Sequence, residues 1–270
     1  MNKHVQADSV GQRSEEEQRR YTRRSILRSE ELYGPDFQSP GGRAAVDAIC
    51  QEVPMSQGVA ILDLGSGLGG AAFYFAERFR AKVVGIDASP DMIEMSRERC
   101  AKRGLSTIEF RLDDVRTAPL EQAAFDMVWS RDAMLYLAEK ELIWRRACDA
   151  TKPDGYLVVT DFCCGVGSLT DEFQQYTDEH GYHLQSIDEY ASLIRDAGWS
   201  IEVSRDMTGR FIELLQQERD SLSKNRDAFS REYGEDDYLF MLRRWEKKLP
   251  KLQTIFLIRP HPPPPDFCVA

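Results

Sequence analysis

The chain has 270 residues, enough for one large α/β domain, or one domain with a small cap. Its formal net charge of −10 argues against a general nucleic-acid binder, which needs a basic face to neutralise phosphates. There is no run of about 18 apolar residues to span a bilayer, and the polar start is unlike a secretory signal, so a cytoplasmic location is the default expectation.

Residues 1–20 are polar enough for a disordered arm. Over 21–33, Ile26, Leu27, Leu32 and Tyr33 are spaced between Arg23, Arg24 and Arg28, which predicts a helix. Gly34–Gly42 is a loop by its Gly and Pro content, and Ala44–Val53 returns to helical spacing. Val59–Gly65 is an apolar run that meets glycines, as in a buried parallel strand. A helix follows over Gly70–Arg80, then a strand over Lys82–Asp87. The next helix has Ser89 as N-cap, Pro90 at its first position and Gly104 as its stop. Strands are predicted at Ile108–Leu112, Phe125–Ser130 and Gly155–Phe162, with a helix over Lys140–Ala150 between the last two. Such alternation means βαβ units and a parallel sheet. A Tyr-rich insert at 167–182 breaks the rhythm. Helix Ile187–Ala197, a strand near Ile201–Ser204, charged helices over 208–248 and a strand at Thr254–Arg259 complete the pattern. The tail at 261–270 is proline-rich, and its prolines lack the N–H donors a sheet requires.

Six cysteines stand at Cys50, Cys100, Cys148, Cys163, Cys164 and Cys268. None forms a C-x-x-C pair and no histidine lies at ligand spacing from them, so reduced thiols and no metal site are expected. Cys163 and Cys164, being adjacent, point to opposite faces of a strand or its end and make poor partners for each other.

The strongest local signal is Asp63-Leu-Gly65-Ser-Gly67-Leu-Gly69-Gly70, opening a helix directly after a strand. Glycines there permit a tight turn and close approach of a ligand to the backbone. Asp87 ends the second strand about 20 residues later, where a carboxylate can accept from both hydroxyls of a ribose. A glycine loop alone is shared with dinucleotide dehydrogenases. Asp63, however, would repel a pyrophosphate and suits the cationic sulfonium and amino group of S-adenosyl-L-methionine. Asp113-Asp114 closes the third strand near where an adenine amino group would lie. Each acid alone could be a turn or cap residue; three at successive strand ends carry the reading.

The segments RYTRRSILRSEELYGPDFQSPGG, ILDLGSGLGG, VVGIDAS, SRDAMLYL, KPDGYLVVTDFC, DEFQQYTDEHGYHL and WEKKL run from about Tyr21 to Arg259. Together they resemble the phosphoethanolamine N-methyltransferases and, more distantly, the sarcosine/dimethylglycine methyltransferases. The resemblance implies a Rossmann-like methyltransferase domain over 21–260: a doubly wound, mostly parallel seven-stranded α/β sheet with an N-terminal helical lid. The lid covers 21–53, and an acceptor-side cap covers 163–182 and 208–248. Carried over by position, the family's cofactor contacts fall on Tyr21, Gln38, Ser39, Gly65, Asp87, Ala88, Asp114, Val115 and Arg131; the residue-level reading adds Asp63 and Gly67.

The acceptor side departs from the family. The family pairs the lid tyrosine with a histidine, where this chain has Tyr136, so Tyr21, Tyr136 and Asp132 are the catalytic candidates. The family's phosphate shell has an arginine at His180 and a tyrosine at Phe162, while Tyr176, Tyr182 and Lys248 match. Neutral histidine offers one donor and phenylalanine none. A phosphate shell short of two donors loses several kcal/mol, at about 1.5–3 kcal/mol per charged hydrogen bond. The expectation is therefore methyl transfer to N or S of a small, carboxylate-bearing acceptor: a methylthio acid becoming a sulfonium, or a glycine derivative becoming a betaine. A phosphobase N-methyltransferase is the alternative, and a non-catalytic cofactor-binding module the second. No nucleic acid or membrane partner is expected, and the oligomeric state is not read from the sequence.

Overall fold

The computed structural model describes residues 21–167, 170–248 and 254–261. The expected arm at 1–20, and the tail apart from His261, lie outside the described residues, as does the side chain of Lys248. In chain order the elements are α1 (Arg23–Tyr33), α2 (Gly42–Cys50), β1 (Ala60–Leu64), α3 (Gly70–Phe79), β2 (Lys82–Asp87), α4 (Pro90–Arg103), β3 (Ile108–Leu112) and β4 (Phe125–Arg131). A 3-10 turn (Met134–Tyr136) leads to α5 (Lys140–Ala150), β5 (Thr151–Cys163), α6 (Asp171–His180), α7 (Ile187–Asp196) and β6 (Ser200–Asp206). Three helices, α8 (Thr208–Lys224), α9 (Arg226–Tyr233) and α10 (Glu235–Lys248), precede β7 (Thr254–His261).

The strands form one sheet in the order β3-β2-β1-β4-β5-β7-β6. The five strands from β3 to β5 are parallel. β7 then enters antiparallel to both β5 and β6, so the parallel run is shorter than a mostly parallel sheet of seven would be. Strand order reverses between β1 and β4, and such a switch point opens a crevice at the carboxyl ends of the strands.

Both faces of the central strands are apolar because side chains alternate across a strand. On one face Leu62 and Leu64 pack with Val128, Leu157 and Val159; on the other Ile61 packs with Met127, Trp129 and Val158. A third cluster joins Leu135 and Phe162 to Phe211 and Leu215 of α8, Phe229 of α9 and Tyr238 of α10. No helix among the described residues is long and apolar enough to cross a membrane. The five described cysteines are free, and Cys163 and Cys164 are both buried.

Several boundaries move for identifiable reasons. The first helix begins at Arg23, where the Thr22 side chain accepts from Ser25 N–H; Tyr21 stands outside it in a turn. Ser89 occupies the N-cap of α4, but its side chain makes no capping bond. Its N–H is held instead by Asp87 Oδ1 at 2.8 Å. β5 is longer than expected because Thr151 already pairs with Phe125, with a register shift over the Lys-Pro-Asp-Gly stretch. The insert at 167–182 contains a true helix, α6, whose N-cap Thr170 accepts from Phe173 N–H.

α1 is fastened to α4 by charge. Arg99 forks onto the carboxylate of Glu30, with one bond at 2.8 Å, and reaches Asp36 at 3.0 Å; Arg103 also binds Asp36. These carboxylates are only 11% and 10% exposed, so their loss of water is offset by the guanidinium fork. Arg99→Met is expected to cost about 2–3 kcal/mol, below the range for a fully buried pair because Arg99 keeps some solvent contact. Hydrogen exchange should quicken in α1 while the amides of β1 and β4 stay protected.

Candidate active site

The glycine loop follows β1 directly, at the switch point between β1 and β4. Gly65 and Ser66 donate their N–H groups to the Ile86 carbonyl at 2.8 and 3.0 Å, which ties the loop to β2. Gly65 has φ +77°, and a Cβ there would come within 2.3 Å of Ala133 Cβ. The segment after β4 therefore lies directly against the loop, and only glycine admits that approach. Gly67, with φ +52°, is the opposite case: a Cβ there would meet nothing within 4 Å. Its N–H donates to Asp87 Oδ2 at 3.0 Å.

Asp63 is 2% exposed, and among the described residues its buried Oδ2 has no hydrogen-bond partner. Burial, helped by the nearby charge of Asp87, pushes its carboxyl up to about 8. A buried acid in that state lacks a cation. Asp114 sits beyond β3 and is gripped by Arg116, whose Nη2 lies 2.6 Å from Oδ2 and whose Nε lies 3.0 Å from Oδ1. That hydrogen bond raises the Arg116 guanidinium above its ordinary value. Val115 is buried in the core, whereas Ala88 is exposed at the end of β2.

Gln38 Nε2 donates to the carbonyls of Ile26 and Phe37, both at 3.1 Å, so it braces the loop between α1 and α2. The Ser39 carbonyl accepts from Gly42 N–H at 3.2 Å. Arg131, at the end of β4, donates to the Pro40 carbonyl, and Glu218 of α8 accepts from Gly41 N–H at 2.9 Å. Together they clasp this loop over the strand ends. Burial depresses the Arg131 guanidinium despite the charges of Asp132 and Glu218. Asp132 has φ +52°, and its Oδ1 accepts from the Thr160 hydroxyl at 3.1 Å.

Tyr21 packs against the cluster of Ile26, Leu68, Met92 and Met95, and its hydroxyl donates to the Tyr136 hydroxyl at 3.2 Å. The two expected partners, 115 residues apart, thus meet. Around them the rings crowd: Tyr136–Tyr182 centroids lie 5.4 Å apart, Phe162–Tyr182 6.3 Å and His180–Tyr182 5.3 Å. Tyr176 lies 4.2 Å from His180, ring to ring. His180 Nδ1 is 2.8 Å from the Tyr176 carbonyl oxygen, which can only accept, so Nδ1 carries the proton. This corrects the expectation that neutral His180 offers a donor to an anion: its one N–H is committed to the backbone, and Nε2 gains a proton only in the imidazolium.

Residues 55–200 match the family model described as "Methyltransferase domain". The chain belongs to this methyltransferase family. It is 33% identical over 230 residues to "Phosphoethanolamine N-methyltransferase 1" of Arabidopsis thaliana, covering 85% of this chain and 46% of that protein. It is 29% identical over 236 residues to "Phosphoethanolamine N-methyltransferase" of Plasmodium falciparum, covering 86% of this chain and 88% of that one. The chain therefore spans about half the length of the plant relative. Among solved structures it superimposes on phosphoethanolamine N-methyltransferase 2 of Haemonchus contortus, in complex with phosphomonomethylethanolamine and S-adenosylhomocysteine. That match has a TM-score of 0.87 at 28% identity, over 90% of this chain and 58% of that chain.

S-adenosylmethionine is the cofactor of this methyltransferase family, and the residues present fit it. The Asp63 oxygen, without a hydrogen-bond partner among the described residues, provides a buried carboxyl that a cationic group would ionise, and the open face above Gly67 admits a ligand to the backbone. Arg116, Glu218 and Thr160 escaped the reading of the sequence. Only Arg116 left a trace there, as a cation two residues after an acid.

Asp87→Ala should weaken cofactor binding by about 2–3 kcal/mol in calorimetry, because its acceptor oxygens also hold the Gly67 and Ser89 amides. Asp63 gives a pH dependence whose sign is fixed. Below about 8 the ligand-free carboxyl is protonated, and a bound cation favours the ionised form. Binding should therefore release a proton near neutral pH, and affinity should rise with pH until it levels above about 8. Calorimetry in two buffers of different ionisation enthalpy checks this; Asp63→Asn should abolish the proton release.

Proposed function

We propose that the chain is an S-adenosylmethionine-dependent N-methyltransferase acting on a small phosphobase of the phosphoethanolamine class. The carrying observation is the contact of the Tyr21 and Tyr136 hydroxyls on a segment that abuts the glycine loop. Identity to phosphoethanolamine N-methyltransferases over most of the chain supports the substrate class. This ranks the phosphobase reading above the carboxylate acceptor expected from Phe162 and His180.

When bound, the cofactor supplies a methyl group made electrophilic by positive sulfur. In this reading Asp87 takes the ribose hydroxyls, Asp63 faces the cationic methionine end, and Asp114 and Val115 border the adenine. Tyr21, Gln38 and Ser39 close over them as a lid, with Arg131 and Glu218 holding the loop in place. Positioning of this kind supplies roughly 7–11 kcal/mol of a displacement barrier. The acceptor nitrogen attacks as the free amine, its proton released to solvent; Tyr21 and Tyr136 offer oxygens to its remaining N–H groups and aim its lone pair, and Asp132 faces the ammonium charge that forms on transfer. A phenol is a weaker base than an imidazole near neutral pH, so the pair orients more than it deprotonates. Tyr176, Tyr182, Lys248 and the imidazolium form of His180 serve the phosphate.

The thin donor shell keeps a second reading in play: Phe162 brings no donor, and the N–H of neutral His180 is spent on Tyr176. A carboxylate-bearing acceptor needs fewer donors, and a tertiary amine or thioether has no proton to lose. Transfer of labelled methyl groups to phosphoethanolamine and its mono- and dimethyl forms, beside sarcosine, dimethylglycine and methylthio acids, separates the two. Efficient turnover confined to carboxylates would replace the phosphobase reading. Cofactor binding with no turnover on any of these would leave only a binding module. Tyr136→Phe is expected to lower kcat about 10²-fold, on the scale of a misplaced acceptor, and to leave cofactor affinity unchanged.

A further inference from the structure

Lys140, the first residue of α5, has a fully buried side chain. Its position is electrostatically wrong. A helix N-terminus carries partial positive charge and favours anions, while burial strips an ammonium of water. Burial accordingly pulls the Lys140 ammonium below its ordinary value. What it gains is two carbonyls: Nζ donates to Leu137 O at 2.7 Å and to His183 O at 2.5 Å. Those carbonyls follow directly on Tyr136 and Tyr182. The two segments are sewn together once more by His183 N–H donating to Leu135 O at 2.7 Å.

A buried acid on β5 is coupled to it: burial pushes the Asp161 carboxyl up to about 7, and the Lys140 charge pulls against that rise. Asp161 is fully buried, accepts from Phe162 N–H at 2.9 Å and takes the Tyr190 hydroxyl at 3.0 Å; the Lys140 ammonium stands 5.9 Å from the centroid of the same Tyr190 ring. Three rings of the acceptor side, Tyr136, Tyr182 and Phe162, are thus each one residue from a member of a single buried polar network. Those rings also touch one another.

We infer that Lys140 is a positioning residue: its ammonium, bonded to the Leu137 and His183 carbonyls and coupled to Asp161, fixes the three rings that form the acceptor wall relative to one another. The inference rests on the proposed placement of the acceptor at those rings. A lysine spent on two backbone carbonyls at a helix start, against the local field, breaks a local rule in the way expected beside a functional site.

Lys140→Met keeps the stem and removes the charge. It is expected to raise the acceptor KM about tenfold to a hundredfold, the scale of a misplaced binding surface, while cofactor affinity by calorimetry stays unchanged. Hydrogen exchange at 135–137 and 183–185 should accelerate together. Lys140→Arg, which keeps the cation, should recover part of the KM. An unchanged KM, or exchange that quickens in only one of the two segments, overturns the inference. A parallel loss of acceptor and cofactor affinity with exchange rising throughout the sheet does so too. Should Lys140→Met fail to fold, Asp161→Asn decides by the same measurements, since it leaves Lys140 in place without the acid coupled to it. If the unaltered protein methylates no acceptor, the functional proposal has failed, and the coupled exchange of the two segments still tests the network.

Discussion

One carboxylate organises the cofactor side. Asp87 ends β2 and accepts from Gly67 N–H in the glycine loop and Ser89 N–H at the head of α4. Two backbone segments that must otherwise satisfy their own donors are thereby held at one point. Burial raises the neighbouring Asp63 carboxyl, and the charge of Asp87 adds to that rise.

The parallel half of the sheet was legible because its central strands β1 and β4 are buried on both faces. Lys82–Asp87 and Ile108–Leu112 match their expected bounds, and Lys140–Ala150 does the same among the helices. Apolar runs meeting Gly or Asp at regular distance leave few other readings. The antiparallel entry of β7 was not legible, since Thr254–Arg259 announces a strand without a direction. Ser89 looked like a side-chain cap, but Asp87 reached its amide first. Such competition is settled by three-dimensional neighbours and leaves no local pattern.

The acceptor side divides in the same way. The meeting of Tyr21 with Tyr136 follows the expected pairing, and packing at Ile26, Leu68 and Met92 helps to bring residue 21 to that point. His180 shows the limit of residue-type arguments. Its donor count depends on which nitrogen faces the Tyr176 carbonyl, a question of helix geometry at four-residue spacing. Arg131 and Glu218, from a strand end and a distant helix, jointly hold the loop at Pro40 and Gly41, and nothing in either local sequence announces it.

The placement of β7 has a bearing on how the chain comes to be assembled. Ser204 and Val159 both register on Ile258, so β6 and β5 meet only through a strand that follows every described helix. During synthesis the nascent polypeptide presents two unsatisfied sheet edges until residues beyond 254 leave the ribosome. Unpaired edges are sticky templates for foreign strands. The half of the sheet from β3 to β5 can order early, whereas the side bearing α8 to α10 waits for the final staves. Premature termination ahead of Thr254 would leave a molecule with its cofactor crevice formed and its β5 flank open to aggregation.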